Sequence, residues 1–266
     1  MISRAILQTL KYSDHFGFPL TLDELHARLI SFPITQIRLI RQTRLMLQKH
    51  LLQKTKDYYH LPGRSSLVAR RLKRAKLSKP LITRAQHLSS LLSPISSILA
   101  IYLTGSLAVC NSNANADIDL MIITQNHRLW TTRLILTLYT SFLGLRRTPN
   151  STKNTGKLCL NLYLTPASYQ LPTTKRSLYT AYELLQAIPL YDPEGTHSAL
   201  LAANPWIKNY LPNFPIPHPT GPGPIGTIVE KLAYWIQIIY MRPRLTRELI
   251  TPDSAFFHPR DPSPKV

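Results

Sequence analysis

The sequence predicts an α+β protein, and three observations carry that expectation. Apolar residues recur at helical spacing through residues 1–49 and again over 129–143 and 225–240. Aliphatic runs at 98–103, 117–124 and 157–164 have the length and side-chain type of buried strands. A chain of 266 residues, 44% of them hydrophobic, can also bury a sizeable core.

In the first helix Ile6, Leu7 and Leu10 share a face, and Gly17 with Pro19 breaks the run. Thr21 and Glu24 then stand at the spacing of a capping box, in which the hydroxyl accepts from one backbone N–H and the carboxylate from another. They open a helix over 22–30, closed by a turn at Ser31, Phe32 and Pro33. A third helix is expected over 34–49, with Ile37, Ile40 and Leu47 turned inward and Arg38, Arg41 and Arg44 elsewhere on its surface. Residues 51–61 suit a small hairpin with Tyr58 and Tyr59 in a strand. Helix, helix–turn–helix and ribbon in that order resemble a winged helix. The resemblance implies a domain at 1–62 whose third helix enters a DNA major groove, with Arg38, Arg41 and Arg44 as nucleic-acid-binding residues. The same arginines also suit a plain solvated face, and many winged helices are docking modules.

Charge favours a polyanionic partner. The chain carries 32 Lys and Arg against 13 Asp and Glu, a net +19, and residues 1–80 alone hold 16 against 4. Such a field attracts nucleic acid, nucleotides or an acidic membrane surface, although a generally basic proteome would leave the same mark. Residues 63–94 read as a basic connector, with Arg64, Arg70, Arg71, Lys73, Arg74, Lys76 and Lys79 leading into an apolar stretch. One helix or a pair interrupted near Pro80 would fit it. Residues 191–266 read as a helical region with a proline-rich linker at 212–224 and an extended tail from 251.

Chemistry concentrates between residues 98 and 124. The first strand runs into Thr104, Gly105 and Ser106, small residues of the kind needed where a phosphate comes close. Residues 107–109 can start a short helix whose amides would face that phosphate. A polar loop at 111–116 leads to Asp117, which opens the next strand. Alternation puts Asp117 and Asp119 on one side of that strand and Ile118 on the other, in the core. Two carboxylates about 7 Å apart on one face suit Mg²⁺, which takes a few carboxylates together with phosphate oxygens and water.

A Gly-Ser bend followed by Asp-x-Asp on the next strand resembles the signature of the nucleotidyltransferase superfamily, the polymerase-β-like fold. The resemblance implies a mixed sheet with flanking helices over about residues 95–190. It implies that Gly105 and Ser106 bind the triphosphate of an NTP and that Asp117 and Asp119 are catalytic metal ligands. Mg²⁺ would then promote in-line transfer of an NMP to an acceptor. Active members usually carry a third carboxylate on a later strand. The strand at 157–164 holds Asn161 instead, a neutral ligand that takes no proton at neutral pH. Glu183 and Asp192 are the nearest downstream acids, and their spacing places neither in the site. A single-metal or substrate-assisted transfer fits that departure, and so does nucleotide binding without turnover.

The other polar residues are less informative. Arg128 and Arg133 at the start of the 129–143 helix are within reach of a triphosphate, with an outward helix face as the plainer reading; Lys153 and Lys157 are read no more strongly. Nine histidines without ligand spacing and two distant cysteines, Cys110 and Cys159, argue against a zinc site and a disulfide framework. Trp130, Trp206 and Trp235 are expected in packing, and Phe257, His258 and Pro259 as a docked tail. No Ser-His-Asp arrangement and no Walker-type loop is evident. No apolar run reaches the roughly 20 residues of a membrane span, and the N-terminal stretch lacks a signal-peptide pattern, so a cytoplasmic protein is expected. Two functions compete: a Mg²⁺-dependent nucleotidyltransferase, or a nucleic-acid-binding regulator whose nucleotidyltransferase fold is catalytically degenerate. A role as a protein partner is the third expectation.

Overall fold

The computed structural model describes residues 1–147, 154–215, 229–244 and 248–257. Lys153, most of the 212–224 linker, His258 and Pro259 lie outside the described residues. Three helices, α1 (Ile2–His15), α2 (Leu22–Ala27) and α3 (Gln36–Gln48), precede a ribbon of β1 (Gln53–Thr55) and β2 (Tyr58–His60). The capping box forms: the Glu24 amide donates to Thr21, and the Thr21 amide donates to Glu24 Oε2 at 2.8 Å. Ile6, Leu10, Leu20, Leu25, Leu39 and Met46 close a core within this unit.

The inner face of α3 differs from the expectation. Leu39, Thr43 and Met46 point inward, whereas Ile37 is 67% exposed, Ile40 is exposed and Leu47 half-buried. Leu39 and Met46 lie seven residues apart, two turns along one face, and Ile37 falls on the opposite side of that helix. Arg38, Arg41 and Arg44 are all exposed.

Helix α4 (Ser66–Leu92) runs unbroken through Pro80, so the connector is one helix rather than two. Proline removes one backbone bond and crowds the preceding turn. Here Leu81, Ala85, Leu88 and Leu92 bury a stripe against the sheet, and that packing holds the helix beyond the proline.

The remaining elements are β3 (Ile98–Leu103), α5 (Gly105–Ala108), β4 (Ile118–Thr124), α6 (Leu129–Phe142), β5 (Leu158–Leu164), α7 (Leu178–Gln186) and β6 (Ile188–Tyr191). They continue with α8 (Thr196–Ala202), α9 (Ile207–Tyr210), α10 (Val229–Met241), β7 (Leu249–Ile250) and β8 (Ser254–Phe256). Six strands form a mixed sheet in the order β6-β3-β4-β5-β8-β7, with β4 and β5 parallel and the other pairs antiparallel. The chain is therefore α+β, and its C-terminal region contributes two strands to the sheet as well as helices.

Alternation along the strands divides the core between the two faces. Ala100, Tyr102, Met121 and Leu162 meet α7, α8 and α9, while Ile101, Ile118, Leu120 and Ile122 meet α4, α6 and α10. Glu230 on α10 accepts from the amides of Trp130 and Thr131, satisfying the first turn of α6 with a carboxylate. Arg133 is buried between these helices, donating to Gln237 and lying 4.5 Å from the Phe257 ring centroid. It is thus neither outward nor near the Gly-Ser bend. Trp130 and Trp206 pack as expected, but Trp235 is 60% exposed on α10. Among the described residues no helix is long and apolar enough to cross a membrane.

The N-terminal unit is joined to the rest by polar contacts. Arg71 on α4 makes a two-pronged ion pair with Glu24, at 2.5 and 2.8 Å, and its guanidinium lies 3.9 Å from the Phe18 ring centroid. Asn111, after α5, donates to the Phe16 carbonyl at 3.0 Å and accepts from Arg74 at 3.2 Å. Burial alone would raise the Glu24 carboxyl, but the Arg71 hydrogen bonds and charge, with the Thr21 amide, hold it below its ordinary value of 4.5. A carboxylate depressed in the folded state stabilises fully above its unfolded value, and that contribution fades as pH falls through the folded value. The gap in thermal stability between the wild type and Glu24→Gln is therefore expected to be wide at pH 7 and to shrink below about pH 4.5. An equal gap at pH 7 and pH 3 in calorimetry would count against this linkage.

Candidate functional site

The centre of the site is a contact between a glycine and a carboxylate. After β3 the chain turns at Thr104, whose amide donates to the Asp119 carbonyl at 3.0 Å and ties the bend to β4. Gly105 has φ +65°, and a Cβ placed there would lie 2.6 Å from Asp119 Oδ2. Glycine is needed twice over, for the left-handed backbone and for the space that the carboxylate fills. Ser106 beside it is exposed.

Asp117 immediately precedes β4 and Asp119 lies within it. Asp117, Asp119 and Cys159 each offer a ligand atom within 4.8 Å of the others. Cys159 joins them because β4 and β5 run parallel with Asp119 in register with Cys159, and residues in register share a face. Two neighbours orient the carboxylates. Asn161 Nδ2 donates to Asp119 Oδ1 at 3.0 Å, and Arg147 Nη1 pairs with Asp117 Oδ2 at 2.5 Å. The Arg147 amide donates to the Leu158 carbonyl, which fixes that arginine beside the start of β5.

The cluster is electrically lopsided. Burial, then the charges of Asp119 and Asp117, push the Cys159 thiol up to about 12, with Arg147 opposing them. The thiol is therefore protonated and neutral at ordinary pH. A divalent cation between the carboxylates would invert that local logic, since it would be the largest charge present. The donor set of two carboxylates fits a hard cation that also takes water and ligand oxygens.

A cavity of about 300 Å³ opens beside Gly105, Ser106 and Asp119. Its wall also includes the stripe Tyr179, Tyr182, Glu183 and Gln186 of α7, spaced by three and four as one helix face. The N-terminal unit supplies Tyr12 and Ser13 of α1, Phe16 just after it, Phe18 and Arg28, and Val109 and Asn111 after α5 complete the lining. Tyr12 stacks on Tyr182 with ring centroids 5.1 Å apart, and the Tyr182 hydroxyl donates to the Arg28 carbonyl at 2.8 Å.

The structure thus gathers Gly105, Ser106, Asp117 and Asp119 around one place. Arg38, Arg41 and Arg44 are not among the cavity residues. Glu183, whose spacing placed it nowhere, stands on the cavity wall with Asp119. Its place on a Tyr-Tyr-Glu-Gln face was readable, but not that this face would meet α1. Asp192 instead accepts from Tyr102 Oη at 2.7 Å and from the Thr196 amide at 2.8 Å, at the start of α8. Lys157 is half-buried beside β5, its carbonyl accepting from the Ile118 amide, and Arg128 is half-buried ahead of α6.

A double-mutant cycle tests the contact at the centre. Gly105→Ala is expected to destabilise the chain by about 1–2 kcal/mol through the left-handed backbone alone, and by more through the carboxylate. In an Asp119→Ala background that second part disappears, giving a coupling of about 0.5–3 kcal/mol in urea unfolding. Strictly additive effects would mean that the two residues do not meet.

Models of known protein families, curated proteins and solved structures provide no match to this chain.

Proposed function

We propose that the chain is a nucleotidyltransferase that moves an NMP from an NTP to an acceptor hydroxyl. The observation that carries the reading is the close approach of Asp119 to Gly105, which sets paired carboxylates beside the bend and its exposed Ser106. Asp117 and Asp119 would hold Mg²⁺, with Gly105 and Ser106 against the triphosphate. Mg²⁺ favours oxygen ligands, so the protonated thiol of Cys159 stays outside its first set of ligands. Arg147 and Asn161 each occupy one oxygen of a carboxylate, and so act as orienting neighbours of a metal-ligand pair.

In this reaction the acceptor oxygen attacks the α-phosphorus, the bond to pyrophosphate breaks, and the acceptor proton must go to a base. Asn161 cannot take it. Glu183 faces the same cavity and is the side chain we assign to that step. The metal, when bound, neutralises charge on the phosphates and steers in-line attack.

Pyrophosphate release with Mg²⁺ and a panel of NTPs and hydroxyl acceptors tests the reading. The Asp117→Ala, Asp119→Ala double variant is expected to abolish release. Glu183→Gln should lower turnover by about 10²–10⁴-fold while NTP affinity is kept. Release that persists unchanged in the double variant would overturn the assignment.

A second reading, a nucleic-acid-binding regulator with a winged-helix-like N-terminal domain, draws on the exposure of Arg38, Arg41 and Arg44 along α3. Exposed Arg70, Lys73, Lys76 and Lys79 extend the charge along α4. DNA affinity is then expected to fall steeply with salt, and Arg38→Glu with Arg41→Glu should reduce the salt slope by about 2. Equal DNA affinity at low and high salt would rule this reading out.

A further inference from the structure

Arg28 is the cation of the cavity wall, and its guanidinium is held by rings rather than by acceptors. Its carbon lies 4.9 Å from the Phe18 ring centroid and 5.7 Å from that of Tyr182. Among the described residues no carboxylate is paired with the guanidinium, and no side-chain hydrogen bond from it is seen. Glu24, one turn earlier on α2, is engaged by Arg71. Burial lowers the Arg28 pKa in spite of the favourable field of Tyr182 and Glu24. The guanidinium is half-buried and lines the cavity, so an oxyanion entering there would meet donors that no protein oxygen engages.

The rest of the cavity says what else that ligand carries. Tyr12, Phe16, Phe18, Tyr179 and Tyr182 make much of the lining aromatic, and Asp119 and Glu183 are its two acids. A volume of about 300 Å³ is at the small end of ligand pockets, enough for a single-ring compound and too little for a nucleic-acid strand or a folded peptide. The planar fork of arginine matches a carboxylate or phosphate with two parallel bonds.

We propose that Arg28 is the oxyanion-recognising residue of this cavity, which takes a small ring compound bearing a carboxylate or a phosphate. As a binding site it stands on the cavity alone. As the acceptor site it rests on the nucleotidyltransferase reading, with the ligand's hydroxyl turned toward Glu183 and Asp119. The N-terminal unit then belongs to the substrate site, because Tyr12, Ser13, Phe16, Phe18 and Arg28 all line it.

Calorimetric titration of the full chain, without nucleotide or metal, uses benzoate, phenyl phosphate and benzyl alcohol as probes. At least one of the two anions is expected to bind tenfold or more tightly than the neutral alcohol, and their order tells carboxylate from phosphate. In Arg28→Met the anion preference should vanish while weak alcohol binding persists. The melting temperature of that variant should be unchanged or raised, since no protein acceptor loses its donor. Should the methionine variant fail to fold, Arg28→Gln supplies the same comparison. Equal wild-type affinity for all three probes, no binding of any, or an anion preference kept in the variant would each overturn the proposal. Asp117→Asn with Asp119→Asn separates the two claims. Loss of NTP-dependent pyrophosphate release with anion binding intact would leave both standing. Intact anion binding in a wild type that never releases pyrophosphate would sink the transferase reading alone.

Discussion

Everything in the site is arranged around one missing side chain. At Gly105 the backbone is left-handed, and the space a Cβ would take belongs to the Asp119 carboxylate. The contact couples the end of β3 to the second residue of β4, and the Thr104 amide reinforces it from the backbone. Asp119 then dictates where Cys159 and Asn161 stand, through the parallel register and a side-chain hydrogen bond. Asp117 is drawn to the same spot, and Arg147 with it. Half-buried carboxylates held this closely need compensation, and here it comes from an amide, a guanidinium and a neutral thiol.

A second constraint is the way the N-terminal unit is fastened. Arg71 both binds Glu24 and lies against the Phe18 ring, so the basic helix α4 acts as a splint between the two cores. On the far side the Ser31 amide donates to the Tyr210 carbonyl at 2.7 Å, and Asn213 bonds both Ile34 and Phe32. With contacts on both flanks, α1 and α7 are held together where both line the cavity. The aromatic stack of Tyr12 on Tyr182 spans the seam between them.

How much of this could be read from residues depends on the range of the interaction. Strands at 98–103, 118–124 and 158–164 were legible because their aliphatic runs need no partner to be recognised, and the capping box because its two residues are three apart. The shared side of Asp117 and Asp119 follows from local alternation. The inner face of α3 was misjudged because Ile37 and Ile40 are as apolar as Leu39 and Met46, and only the neighbouring helices choose between them. Pro80 looked like a break because its local cost is visible, while the stripe that outweighs it meets strands far along the chain. Glu183, Arg28 and the aromatic wall share a cavity only after segments more than 150 residues apart have docked. No short-range pattern encodes that.

The pairing of β8 with β5 bears on how the chain is made. Leu162 is in register with Phe256, and the Phe257 amide donates to the carbonyl of Asn161. One edge of β5 therefore stays open from the moment residue 164 leaves the ribosome until residue 254 follows it. At about 5–20 residues per second that interval lasts roughly 5–18 s. Throughout it, the strand that carries Cys159 and Asn161 offers unpaired amides and carbonyls to any neighbouring nascent chain.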